Sequence, residues 1–161
     1  LHDALPIYFP GWQGHRPAVR RIMLMGERGV GRRTVARLLG CTVPDLRRTM
    51  AVEYAGEFVF PPPEFLENRR FYCALITLAT ECAAILFVQD ATRPTSAFPP
   101  GFARIFNRTV VGVISKTDME TANTERARRF LQSAGTKQIV ALSSVTLAGV
   151  DELRTALPLN A

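Results

Sequence analysis

Short unbroken apolar runs alternate along this chain with segments whose apolar residues recur three and four positions apart. Ala18 to Met25, which ends in the unbroken apolar run Ile22 to Met25, reads as a buried strand. Arg32 to Leu39 predicts a short helix, and Thr49 to Tyr54 a strand. Glu67 to Cys82 places Phe71, Ala74, Leu75 and Leu78 at i, i+3, i+4 and i+7, the stripe of a core-facing helix. Ala83 to Gln89 predicts a strand followed by a Pro-rich loop from Thr92, and Pro99 to Phe106 a short helix opened by prolines. Thr109 to Ile114 is a β-branched strand, and Thr121 to Ala134 a helix stopped by Gly135. Lys137 to Leu142 is a last strand, and Val150 to Leu157 a closing helix before Pro158. The alternation predicts an α/β fold in three layers: a mainly parallel sheet of about five strands, covered by helices on both faces. Ligands of such sheets bind beyond the carboxyl ends of the strands.

Residues 1–19 lie outside this pattern. They hold both histidines, the single Trp12 and three prolines, with neither a helical nor a strand period. The opening Leu1-His2-Asp3-Ala4-Leu5-Pro6-Ile7 resembles a translated sequencing-adapter scar; a natural Pro-rich arm is the alternative. The expectation is a disordered or artefactual segment over 1–19 and one domain over 20–161.

With 161 residues, 47% hydrophobic and 21% charged, the chain suits a single domain with one buried core. No apolar stretch reaches the ~18 residues of a membrane helix, and the start lacks a basic region leading into an apolar run, so a cytoplasmic protein is expected. The net charge is +6, but the arginines are scattered and not interleaved with aromatic residues. A solvated basic surface is expected, not a nucleic-acid groove. Cys41, Cys73 and Cys82 match neither zinc-site nor redox-pair spacing and read as free thiols.

Chemistry enters at residues 26–34, which read Gly26-Glu27-Arg28-Gly29-Val30-Gly31-Arg32-Arg33-Thr34 directly after Ile22-Met23-Leu24-Met25. This is the frame of a phosphate-binding P-loop, G-x-x-x-x-G-K-[ST], placed where a strand meets a helix. Glycines let the backbone N–H groups turn inward around phosphate oxygens, and the following helix adds partial positive charge. Arg32 stands at the lysine position and keeps the charge on a bulkier, planar fork. Arg33 stands at the hydroxyl position and is no magnesium ligand. Thr34 carries a hydroxyl, but one residue further along a helix turns it about 100° from the site. A Gly-rich turn without function is the alternative.

The strand ending at Ile114 runs into Ser115-Lys116-Thr117-Asp118, similar to the [NT]-K-x-D loop of P-loop GTPases. There the carboxylate presents two acceptors to the guanine edge and the lysine stem lies over the base. Asp118 is then the base-selecting residue, with Ser115 tying loops together through its hydroxyl; a helix cap is the alternative. Ser143-Ser144, after the last strand, fits loosely the short loop whose N–H meets the base oxygen, or simply a polar turn. Only 18 residues separate Thr34 from Glu53, too few for a switch loop and an edge strand as well as a helix and a strand. A parallel sheet without an antiparallel edge strand is therefore expected. Glu53-Tyr54-Ala55-Gly56 takes the D-x-x-G position, and Glu53 and Asp90 are the candidate metal carboxylates.

Taken together, several segments resemble the small P-loop proteins of ethanolamine and propanediol utilisation, the EutP/PduV family. They are 21–26 (Arg-Ile-Met-Leu-Met-Gly), 67–72 (Glu-Asn-Arg-Arg-Phe-Tyr), 88–92 (Val-Gln-Asp-Ala-Thr), 98–102 (Phe-Pro-Pro-Gly-Phe), Ser115 to Asp118, and 125–128 (Glu-Arg-Ala-Arg). The family pattern has Lys-[ST] in the P-loop and a [DE]-T-P-G-E-Y element, set here against Arg32-Arg33 and Glu53 to Phe58. The resemblance implies a GTPase-like fold binding GTP or GDP, or ATP, with Mg2+ in doubt. It also implies association with bacterial microcompartments, through shell or pathway proteins. Three functions follow: a guanine-nucleotide-binding module with weak or absent hydrolysis, a magnesium-dependent NTPase or acyl-kinase-like phosphotransferase, or a structural remnant that binds no nucleotide.

Overall fold

The continuous apolar runs become strands buried on both faces. The computed structural model describes residues 21–43 and 51–158; the readings made for 1–19 and for the beginning of the 49–54 strand lie outside the described residues. The strands are β1 (Arg21–Met25), β2 (Glu53–Ala55), β3 (Phe58–Phe60), β4 (Cys82–Asp90), β5 (Thr109–Ser115) and β6 (Gln138–Ala141), in the sheet order β2-β3-β1-β4-β5-β6. Pairs β3–β1, β1–β4, β4–β5 and β5–β6 are parallel.

Alternate residues feed two cores. Ile22 and Leu24 join Ala84, Leu86, Val111 and Val113 on one face, covered by α1 (Arg32–Leu38) and α5 (Val150–Ala156). Met23 and Met25 join Ile85 and Phe87 on the other, covered by α2 (Glu64–Glu67), α3 (Tyr72–Ala79) and α4 (Thr124–Ser133). There Phe87 stacks on Phe98 with centroids 4.6 Å apart and meets Phe102 and Phe106 at 5.6 and 6.2 Å.

Two expectations are corrected. The predicted 67–82 helix is in fact α2, a 3₁₀ turn over Arg69–Phe71, and α3. The break falls at Asn68, which adopts an extended φ of −123° and accepts the N–H of Arg70, the local competition through which Asn starts a new turn. The sheet has six strands, and its edge strand β2 is antiparallel to β3. The short stretch accommodates that strand because the hairpin is minimal: two three-residue strands around Gly56, whose φ is +56°. The strand beside β1 is thus β3, ending at Phe60, and not the 49–54 run.

This topology sets the D-x-x-G position, at the end of β3, on Phe60-Pro61-Pro62-Pro63, not on Glu53 to Gly56. Glu53 nevertheless reaches the same end of the sheet. Because β2 runs backwards, Glu53 pairs with Phe60, and the two side chains stand abreast.

Candidate functional site

Loops from β1, β3, β4 and β5 meet at one end of the sheet, and the P-loop segment 26–31 is packed among them. Within the segment, Gly26 permits the closest approach: a Cβ there would lie 2.7 Å from Val30 Cγ2 and 2.8 Å from the Val88 carbonyl. Gly29 and Gly31 take φ of +78° and +98°, conformations that turn successive backbone groups of the loop. Thr34 is exposed on α1.

The 115–118 loop is bonded to this segment. Ser115 Oγ donates to the Val30 carbonyl at 2.5 Å, the loop-tying contact expected of it. Lys116, at φ +59°, donates from Nζ to the Gly29 carbonyl at 2.8 Å and to Asp90 Oδ2 at 2.9 Å. With their carbonyls held by neighbouring cations and hydroxyls, residues 29 and 30 have fixed peptide orientations. Arg93, which the sequence did not single out, closes the other flank: it pairs with Glu27 at 3.2 Å and donates to the Arg28 carbonyl. Its signal was a cation three residues beyond a strand end, where ligands of such sheets bind. Arg28 reaches across to Glu64 at 2.6 Å, joining the P-loop to the segment after the prolines.

Asp90 sits at the end of β4 with its side chain 3% exposed. Burial raises its pKa, but bonds from the Thr92 hydroxyl, the Lys116 ammonium and the Thr92 N–H outweigh that and hold it below the usual 3.8. Its carboxylate is an anchor for cations of the chain. Asp118 is exposed; one oxygen accepts a bond from the buried Ser143 hydroxyl at 3.1 Å. Ser143 Oγ in turn accepts the N–H groups of Val145 and Thr146, and Ser144 is exposed. Asp118 and Ser143 are thus brought together at the ends of β5 and β6.

Between the P-loop and the prolines lies a cavity of about 540 Å³, bounded by residues 27–34, Glu53, Phe60, Pro61 to Pro63 and Lys116. That is within the roughly 300–1,000 Å³ of small-molecule sites. Among the described residues that line it, four are cationic, Arg28, Arg32, Arg33 and Lys116, and two are carboxylates, Glu27 and Glu53. Arg32 donates to the carbonyls of Pro61 (2.6 Å) and Leu24 (3.3 Å). Burial, then the neighbouring Arg33, pushes its pKa down to about 10, so it stays charged at neutral pH. Arg33 pairs with Glu53, and its guanidinium lies 5.5 Å over the Phe60 ring.

These residues do not fit a magnesium ion. The hydroxyl position of the P-loop frame carries a guanidinium, the last position of β3 carries Phe60, and Glu53 and Asp90 are each engaged by a cation. Among the described residues no cluster of three His, Cys, Asp or Glu is placed to hold a metal, and no helix is long and apolar enough to cross a membrane.

A parallel sheet with a glycine loop after an interior strand, tied to a Ser-Lys-x-Asp loop two strands away, defines a P-loop protein of the GTPase-like class. The chain belongs to the ethanolamine utilisation–propanediol utilisation (PduV-EutP) family, whose model matches residues 19–158. It is 32% identical over 138 residues to the propanediol utilization protein PduV of Citrobacter freundii, covering 84% of this chain and 91% of that protein. It is 32% identical over 119 residues to the probable acetate kinase EutP of Escherichia coli K12, covering 73% of this chain and 75% of that protein. Among solved structures it is similar to translation elongation factor SelB from Methanococcus maripaludis. In its apo form the TM-score is 0.51, and with the GTP analogue GPPNHP it is 0.54; identity is 21% in both cases. The match covers 84% of this chain but only 31–32% of the SelB chains, so the chain spans about a third of their length.

Proposed function

We propose that this chain is a guanine-nucleotide-binding P-loop module of ethanolamine or propanediol utilisation, with negligible hydrolysis. The observation that carries the reading is the pair of bonds from Ser115 and Lys116 to the carbonyls of Val30 and Gly29. They join a base-reading loop to a phosphate-wrapping one beside a cationic cavity. Asp118, two residues beyond Lys116, offers a second carboxylate oxygen besides the one that Ser143 meets. Hydrolysis needs a positioned water and charge neutralisation at the transferred phosphoryl; the metal positions here carry Arg33 and Phe60.

The test is equilibrium binding of GDP, GTP, ADP and ATP to the full chain. Guanine nucleotides are expected to bind at least about tenfold tighter, and Asp118→Ala to erase the preference, because buried N–H donors lose their acceptors at roughly 1–3 kcal/mol. Equal affinity for GDP and ADP overturns the base assignment, and binding of neither makes the chain a structural remnant.

The name of the E. coli relative raises a second reading, acyl phosphate formation from ATP. Arg33 and Phe60 weigh against it, and metal-dependent acetyl phosphate formation by the native chain would establish it instead. A cytoplasmic module that places or recruits pathway enzymes or a microcompartment shell is the role this reading gives the protein. Co-fractionation with those compartments in a host expressing the pathway tests it.

A further inference from the structure

We infer that the end of the sheet opposite the nucleotide cavity is a docking surface for an acidic segment of a partner protein. It is built from other residues than that cavity, so binding there does not depend on GDP.

The nine residues of β4 separate the two places, running from Cys82 to Asp90 over roughly 26 Å of extended chain. At the Cys82 end lies a second cavity, of about 720 Å³. It is bounded by the 3₁₀ turn Phe102–Ile105, the first residues of β5 and the turn before β6. Among the described residues that line it, three are cationic, Arg104, Arg108 and Lys137, and none is a carboxylate. At the other end of the sheet Arg28 has Glu64, Arg93 has Glu27 and Lys116 has Asp90. Among the described residues none of Arg104, Arg108 and Lys137 is ion-paired.

Arg108 is anchored. Its Nε donates to the Cys82 carbonyl at 2.9 Å, Nη2 to the Thr80 carbonyl at 3.1 Å and Nη1 to the Asn107 carbonyl at 2.6 Å. Arg104 and Lys137 are exposed, and their side chains make no hydrogen bond among the described residues. Cations beside a helix end, as here where Gly135 follows α4 into the cavity wall, often cap its last carbonyls. That role is already filled. The carbonyls of Leu131, Gln132, Ser133 and Ala134 accept the N–H groups of Thr136, Gly135, Gly101 and Ala103.

Charge and lining select the occupant. Ala83, Phe106 and Val110 give the same cavity apolar surface, which suits carboxylates carried on a segment with an apolar side chain better than a lone small anion. Phe106 is only 5% exposed and offers no ring face on which a nucleic-acid base could stack. The chain's own residues 1–20 hold one acidic residue, Asp3, against Arg16 and Arg20, so they lack the charge for this place. A second copy carries the same net charge of +6 and is repelled.

The experiment titrates the full native chain at low salt with a short glutamate-rich peptide bearing a central leucine, and with its glutamine counterpart, by fluorescence anisotropy. The glutamate peptide is expected to bind and the glutamine peptide to leave the signal flat. Arg104→Gln together with Lys137→Gln should weaken binding about tenfold, or about 1.4 kcal/mol, at an unchanged Tm. Arg69→Gln together with Arg129→Gln removes the same charge from exposed positions elsewhere and should change affinity by less than about twofold. At matched ionic strength GDP, acetate and phosphate should not displace the peptide. Equal losses in the two double variants would mark a net-charge effect and overturn the inference. So would equal binding of both peptides, or no binding of the glutamate peptide. Displacement by acetate or phosphate makes this a small-anion site, and displacement by GDP puts the peptide in the nucleotide cavity. Tighter binding of oligothymidylate, abolished by Arg104→Gln with Lys137→Gln, makes the occupant a nucleic acid. Self-association in sedimentation, abolished by the same pair, makes it a second copy. Each of these last four results overturns the assignment to an acidic partner segment.

Discussion

At the scale of single residues, the loop depends most sharply on Gly26. Its neighbours leave no room for a methyl group: Val30 Cγ2 and the Val88 carbonyl would both lie inside 3.0 Å. One of the two is backbone of the central strand β4 and does not yield, so Gly26→Ala must displace the loop. We expect a loss of about 1–3 kcal/mol in stability, the usual cost of overpacking, seen as a lower Tm, together with loss of nucleotide binding. An unchanged Tm would show that the loop stands further from β4. Arg33 illustrates the opposite limit of residue-level reading. Its identity was plain in the sequence, and so was its mismatch with a metal site. What it touches was not, because Glu53 and Phe60 become its neighbours only through the hairpin.

At the scale of elements, the alternation of apolar runs was enough to place β1, β4, β5 and β6 and the helices α1, α4 and α5. Those strands are buried on both faces and need no partner to be recognised. The β2–β3 hairpin was not legible, since three-residue strands carry too short a period, and Phe58 to Phe60 were assigned to no element. The register of the family's acidic element slipped with it, from Phe60 onto Glu53. Asp90 joins two elements: from the end of β4 it holds Lys116 at the end of β5 and accepts from Thr92. Its folded pKa lies below 3.8, so its contribution is complete above that value and is lost as pH falls through the folded value. Thermal melts should show a Tm gap between the native chain and Asp90→Asn that is constant near neutrality and closes below pH 3.8. A gap that persists undiminished into acid would mean that the carboxylate charge is not what joins the loops.

At the scale of the molecule, the class of fold and the residues of the two loops were readable because each motif sits at a strand end and the parallel sheet gathers strand ends. Arg93 and the cavity wall built from Pro61 to Pro63 were not, because they depend on which strands are neighbours. The bonds that fix the carbonyls of Gly29 and Val30 have a consequence for time as well as for shape. On the proposed nucleotide reading, a loop held in one form by its own bonds has no rearrangement to wait for, so capture is governed by encounter. Among the described residues lining the cavity cations outnumber carboxylates, a balance that on this reading would draw a polyanion inward. Stopped-flow mixing with GDP should give a single bimolecular phase whose rate falls with added salt while the dissociation rate scarcely changes. A salt-independent rate, or one that saturates with nucleotide concentration, would indicate a loop that must first open.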